Sequence, residues 1–212
     1  MDDAIKNDTT RIWLLRHAIV EENARATLYG TLDVQLCAQS LIEQGPMYAS
    51  LARRLPRPAV WLTSPLSRTK RTARAIFEAG YPEQNLVIDP GLIELDFGEW
   101  QGLEYPELAK RLTLPRHAFW PLSGCERPPG GESMLDGIVR MGNTMERLAE
   151  TYRGQDVVAT SHGGVIRAAV AHALRLDADT ALHLALQNLS LTRLDRLPQG
   201  WLVVCVNELL GF

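Results

Sequence analysis

The chain has 212 residues, a formal charge of -3, and 46 % apolar against 22 % charged residues. That length can bury one sizeable core, and the near-neutral charge excludes a general electrostatic preference for nucleic acid or an anionic membrane. Cys37, Cys125 and Cys205 are odd in number and widely spaced, which excludes a disulfide framework and a zinc site as expectations.

Along the chain, a polar tail over 1–9 precedes a single expected domain over 10–212. The start MDDAIKNDTT has no apolar leader core and no run approaches membrane-spanning length, so a cytoplasmic protein without membrane or nucleic-acid partners is expected. RIWLL at 11–15 reads as a strand without alternation, hence an interior one. Ser40 to Leu55 follows as a helix interrupted by Gly45-Pro46, with Pro46 suited to a first turn. Ala59 to Thr63 is a second strand, Leu66 to Ala79 a helix opened by Ser64-Pro65, and Leu86 to Ile88 a third strand. The Pro- and Gly-rich stretch 91–131 has no sustained period and is expected to lie as a lid over one end, with Leu103 to Leu112 its helical piece.

Ser133 to Tyr152 is the clearest helix, because Met134, Ile138, Met141, Met145 and Leu148 recur at three- and four-residue spacings. Asp156 to Thr160 is a strand and Gly164 to Leu174 a helix. Ser190 to Leu194 and Trp201 to Val206 close the chain as strands around the turn Pro198 to Gly200. Strands separated by helices of this length predict an α/β fold, a three-layer αβα sandwich with a largely parallel central sheet. Such sheets collect ligands beyond the carboxyl ends of their strands.

Polar residues cluster at those ends. LLRH places Arg16 and His17 after the first strand. WLTSPLSRTKRT places Arg68 one turn into a helix. LIELDFGEWQG carries Glu94, and VVATSHGGVIR places His162 between a strand and Gly163-Gly164. The bland reading of each is a solvated charge or a core histidine satisfied by backbone. The chemical reading is a phosphoryl-transfer site. An imidazole can attack phosphorus through a ring nitrogen only if that nitrogen is unprotonated and the other donates to a carbonyl or carboxylate. Arg16, Arg68 and a protonated His162 would grip the non-bridging oxygens, Asn23 could donate one more hydrogen bond, and glycines at a helix start let backbone approach an anion. Glu94 would hold the proton that a departing alkoxide needs and later deprotonate water. Neither HExxH nor GxxxxGK[ST] occurs, and no metal or cofactor is expected.

With these four segments in this order, the chain resembles the histidine phosphatase superfamily, the phosphoglycerate-mutase-like fold. Arg16-His17 resembles its RHG signature, SPLSRTKRTA its S-x-x-x-R-x-x-x-T-A block, ELDFGEWQG the segment of its proton donor, and SHGGVIR its second-histidine motif. The resemblance implies a metal-independent phosphatase with His17 as nucleophile, Arg16, Asn23, Arg68, His162 and Gly163 around the phosphate, and Glu94 as acid. Ala18 stands where the signature has glycine, and the stretch 34–45 departs from the usual compact pattern.

Within the superfamily, ELDFGEW followed by FW and RPPGGES is most similar to α-ribazole phosphatases, with Trp100, Phe119 and Trp120 as specificity residues. A small phosphomonoester is the expected partner, in a monomer or homodimer. A phosphoglycerate mutase shares all four segments but resembles a longer chain between acid and second histidine. The residues also accommodate a broad sugar or phosphoserine phosphatase and a non-catalytic phosphoryl-binding protein.

Overall fold

The computed structural model describes residues 8–210; most of the polar tail 1–9 lies outside them. Strand β1 (Thr10–Arg16) is followed by the short helices α1 (Glu22–Arg25), α2 (Ala38–Glu43) and α3 (Gly45–Arg54). Then come β2 (Val60–Thr63), α4 (Ser67–Glu78), β3 (Leu86–Ile88) and two 3₁₀ turns, Pro90–Leu92 and Gly98–Trp100. The second half holds α5 (Tyr105–Ala109), α6 (Met134–Thr151), β4 (Asp156–Ser161), α7 (Gly163–Leu174), α8 (Ala178–Ala181), β5 (Leu191–Leu197) and β6 (Gly200–Glu208).

The six strands form one sheet in the order β3-β2-β4-β1-β5-β6. The pairs β3–β2, β2–β4 and β4–β1 are parallel, and the β5–β6 hairpin adds antiparallel pairs at one edge. The lack of alternation in RIWLL has its cause here. Ile12 and Leu14 pack in the core under α6 and α7, whereas Trp13 and Leu15 pack in the core under α3 and α4. Both faces of β1 are therefore buried, and the same split recurs in β4, with Val157 and Ala159 on one side and Val158 on the other. The result is the three-layer α/β sandwich.

The amphipathic pattern of α6 buries Met141, Met145 and Leu148 completely. Its start is fixed by a capping box, in which Ser133 accepts from the Asp136 N–H and the Asp136 carboxylate accepts from the Ser133 N–H.

Two expected elements are corrected. The helix over 40–55 is two helices, α2 and α3, that break at Gln44, next to Gly45-Pro46. The helix over 103–112 shrinks to the single turn Tyr105–Ala109, because the Thr113 and Leu114 N–H groups turn away to the buried Glu126 carboxylate. No described helix is long and apolar enough to cross a membrane.

Candidate active site

Sheet register assembles the site. Arg16 at the end of β1 pairs with Ser161 at the end of β4, so His17 and His162 are the next residues on neighbouring parallel strands. On the other side of β4, Thr63 pairs with Thr160, which sets Ser64 beside His162. The two imidazoles meet edge to face with ring centroids 5.2 Å apart.

Their hydrogen bonds fix their tautomers. His17 Nδ1 lies 2.7 Å from the Ala18 carbonyl, an oxygen that can only accept, so Nδ1 carries the proton and Nε2 keeps its lone pair. Arg68 Nε–H donates to His162 Nδ1 at 3.2 Å, which leaves the His162 proton on Nε2, 2.8 Å from Ser64 Oγ. Burial, then the positive charge of Arg68, holds both rings well below the ordinary imidazole pKa; His17 and Arg16 add to the shift of His162, and Arg16 to that of His17. His162 therefore rests as a neutral imidazole.

Three guanidiniums surround the pair, and main-chain carbonyls hold all three. Arg16 donates Nη1 to Leu186 O, and its buried Nε has no hydrogen-bond partner among the described residues. Arg68, 1 % exposed, donates to Leu32 O and Gly30 O, each at 2.7 Å. Arg167 donates Nε to Leu184 O at 2.9 Å and Nη1 to Gly163 O at 3.1 Å, and its guanidinium lies 4.5 Å over the Trp120 ring. Burial, then Arg16, pushes Arg167 down to about 10, which leaves it charged at neutral pH.

Glu94 is 8 % exposed. Its carboxylate accepts from its neighbour Leu95 N–H and from Gly164 and Val165 N–H, the first turn of α7. Arg140 secures the segment from the α6 side, donating to Gly91 O and Ile93 O while paired with Glu132. The glycine pair is explained by contact. A Cβ on Gly163 would lie 3.2 Å from Arg16 Nε and from Arg167 Nη1, and one on Gly164 would lie 2.5 Å from Glu94 Oε1.

A cavity of about 160 Å³ opens onto this group. Arg16, Gly163, Glu94 and Arg167 line it together with the aromatic residues Tyr29, Phe97, Tyr105 and Trp120. His17 and His162 lie buried beside it, 1 % and 0 % exposed. A larger groove of about 460 Å³ over α4 is lined by Arg68 together with Lys70, Arg71 and Arg74, and neither imidazole lines it or the smaller cavity.

The structure thus brings together Arg16, His17, Arg68, Glu94, His162 and Gly163, with Trp120 at the rim. It does not bring Asn23, which is exposed on α1 with its Oδ1 turned back onto the Ala24 N–H at 2.7 Å. Trp100 is a core residue, 4 % exposed, and Phe119 is 66 % exposed and packs on His117 and His183. Four neighbours escape a reading of the sequence alone. Ser64 contacts His162; Thr72 Oγ1 accepts from the Ala18 N–H; the Asn188 side-chain amide donates to His17 O; and Arg167 lines the cavity. Arg167 has a signal in the sequence, since it follows Gly163 by one helical turn and so shares the ligand end of α7.

An arrangement of one imidazole with a free nitrogen, converging guanidiniums and a nearby carboxyl suits transfer of a phosphoryl group. Comparison with known proteins gives the class: the profile of the histidine phosphatase superfamily (branch 1) matches residues 12–209, and the chain belongs to that superfamily. The matched relatives include a bifunctional protein of Mycobacterium tuberculosis, 34 % identical over 186 residues that make up 86 % of this chain and 50 % of that protein. The chain therefore spans about half the length of such mycobacterial relatives. A 2,3-bisphosphoglycerate-dependent phosphoglycerate mutase of Methylobacterium is 32 % identical over 74 % of this chain and 77 % of its own. The fold matches a putative alpha-ribazole-5'-P phosphatase of Escherichia coli with a TM-score of 0.76 at 22 % identity, covering 94 % of this chain and 96 % of that one.

Two outcomes are expected. Gly164→Ala should cost about 1–3 kcal/mol in urea unfolding, because the methyl group overlaps the Glu94 carboxylate and the Leu95 side chain. An unchanged midpoint would show that Glu94 moves aside freely. The second concerns pH. Both imidazoles stay neutral in the folded chain, whereas the unfolded chain binds protons below the ordinary value of 6.5. Their contribution to stability is therefore complete above 6.5 and lost as pH falls, by up to about 1.4 kcal/mol per pH unit for each ring. NMR of labelled imidazoles should show neither ring titrating as pH is lowered from about 8 to about 6; a midpoint at or above 6.5 for either would contradict the assigned neutral forms.

Proposed function

We propose that the chain is a phosphomonoester hydrolase that works through a phosphohistidine on His17. The observation that carries this reading is the unprotonated Nε2 of His17, held in that state by the Nδ1–H bond to Ala18 O, on a ring whose centroid lies 5.2 Å from that of His162. In the first step Nε2 forms a bond to phosphorus, the bond from phosphorus to the ester oxygen breaks, and Glu94 gives that oxygen its proton. In the second step the Glu94 carboxylate takes a proton from water, the resulting oxygen bonds to phosphorus, and the N–P bond breaks to free inorganic phosphate. Arg16 and Arg68 offset the charge on the non-bridging oxygens in both transition states. His162, neutral at rest, gains affinity for a proton once a dianionic phosphoryl group stands beside it. With both rings so deeply buried, the side chains above them must part to admit the phosphoryl group.

The substrate is a small phosphorylated metabolite. α-Ribazole 5′-phosphate is the finer candidate, suggested by the lid segments. Against it stands Trp120, expected to stack on the base, which already carries Arg167 on one ring face. A mutase is the second reading, favoured by the Methylobacterium relative. Measuring phosphate release against isomerisation of 3-phosphoglycerate, with and without bisphosphoglycerate, decides between them: faster isomerisation than hydrolysis of any monoester would overturn the hydrolase.

Acid-labile phosphate should be trapped on the protein during turnover and vanish, together with activity, in His17→Ala. Retained activity in that variant would refute the phosphohistidine. Glu94→Gln should lose about 10²–10⁴-fold on alkyl phosphates and far less on p-nitrophenyl phosphate, whose leaving group barely needs a proton. Equal losses on both would remove Glu94 from the role of acid.

A further inference from the structure

We propose that the groove over α4 is a second ligand site, separate from the catalytic cavity, that takes a small molecule bearing two or more linked phosphates. Such a site stands apart from the hydrolase reading and does not depend on it.

The groove has two walls. One is α4, with Arg68, Lys70, Arg71 and Arg74; the other is the stretch 34–45, with Gln35, Leu36 and Leu41. The second wall is thus built by the segment that departs from the superfamily's compact pattern. Backbone bonds hold it in place. The Glu21 N–H donates to Gln35 O at 3.1 Å and the Cys37 N–H to Ile19 O at 2.9 Å, around a bridge between Val20 and Leu36. A volume of about 460 Å³ is that of a small-molecule site.

Charge gives the sign of the occupant. Four cations line the groove and no carboxylate does, in a chain whose formal charge is -3. The carboxylates that touch this part of α4 are engaged: Asp33 accepts from the Ser67 N–H and Oγ–H, each at 2.7 Å, and Glu78 pairs with Arg71 at 3.0 Å. Because Asp33 covers Ser67, side-chain charge makes the site and the helix end does not. The Arg71–Glu78 pair is exposed on both sides, and such a pair costs little to break. Lys70 and Arg74 form none of the ion pairs among the described residues.

Spacing gives the size. Lys70 and Arg74 are four residues apart on the helix and Arg71 and Arg74 three, so their Cβ atoms stand about 5–6 Å from one another. Three cations at that spacing suit a pair of linked phosphates better than a single one. Beyond Arg74 the helix continues with Ala75, Ile76, Phe77 and the acidic Glu78, so a long polyanion finds no further cation along α4. Leu36 and Leu41 offer apolar surface to a carbon skeleton attached to the phosphates. Tyr48 on α3, 2 % exposed, has a hydroxyl without a hydrogen-bond partner among the described residues, and the charge of Arg71 acts on it. An unpaired donor therefore accompanies the cations on that side.

Two probes that resist hydrolysis, methylene bisphosphonate and α,β-methylene ADP, test this on the intact chain by calorimetry and by NMR of backbone amides. Shifts should appear over 67–74 and 35–41 and saturate, with methylene bisphosphonate bound about tenfold or more tighter than methylphosphonate. Tighter binding of the ADP analogue would assign the site to a nucleoside polyphosphate, and equal binding to the phosphate pair alone. The double variant Lys70→Met/Arg74→Met should weaken binding about tenfold or more with its urea midpoint unchanged. Shifts confined to 16–18 and 162–164, the catalytic cavity, would overturn the site. So would an unaltered affinity in the double variant, or equal affinity for one phosphonate and two. The shift map of the unmodified chain decides even if the double variant does not fold.

Discussion

Cationic side chains whose hydrogen bonds go to main-chain carbonyls rather than to carboxylates are the constraint on which this site depends. Arg16 is tied to Leu186 O, Arg68 to Gly30 O and Leu32 O, and Arg167 to Leu184 O and Gly163 O. A carbonyl satisfies an N–H group without cancelling the charge behind it. A carboxylate would do both, at the expense of affinity for any incoming anion. The protein uses the second arrangement elsewhere. Arg140 with Glu132 and Arg147 with Asp89 are paired, and these two arginines bind the segment around Glu94 to α6. The difference separates bracing from binding within one small volume.

The same positive field sets the imidazoles. A histidine beside a carboxylate tends to charge, but His17 and His162 lie in a desolvated space among guanidiniums, where a further positive charge is disfavoured. Neutrality gives His17 its lone pair, and the Ala18 carbonyl decides which nitrogen keeps it. That carbonyl is itself fixed. The Ala18 N–H donates to Thr72 Oγ1 on α4, and the Asn188 side-chain amide donates to the His17 and Ala18 carbonyls. Ala18 in place of the signature glycine leaves all of these bonds intact, because they are made by its backbone and its methyl group is fully buried.

The fold was legible in the sequence where one physical signal dominated. A strand buried on both faces must read as an unbroken apolar run, and residues 12–15 (IWLL) and 157–159 (VVA) do. The buried stripe of α6 must recur at helical spacing, and its methionines do. Placement of reactive residues after strands followed from parallel-sheet geometry, and register then set Arg16 opposite Ser161. Legibility ended where contact, not period, decides. Asn23 follows His17 by six residues, near enough to be grouped with it, yet a single helical turn carries its side chain into solvent. Trp100 and Phe119 have the same aromatic character as Trp120, and only the path of the lid puts one in the core, one outside and one at the cavity. Ser64 and Thr72 lie within the same segment as Arg68 but act through hydrogen bonds that no spacing reveals.

The stretch 91–131 meets the site at several points, among them Glu94, Phe97, Tyr105 and Trp120. Trp120 belongs to this aperiodic stretch, which is also anchored away from the site, through the Gly124 N–H on the Asp179 carboxylate. Its ring lies against the Arg167 guanidinium, a pairing worth about 0.5–2 kcal/mol that grows with desolvation. The two main-chain bonds of Arg167 oppose any tilt of the fork away from the ring. Because Nε and Nη1 are both anchored, the plane is kept. The same bonds that satisfy the guanidinium without cancelling its charge thus hold the platform on which the Trp120 ring rests.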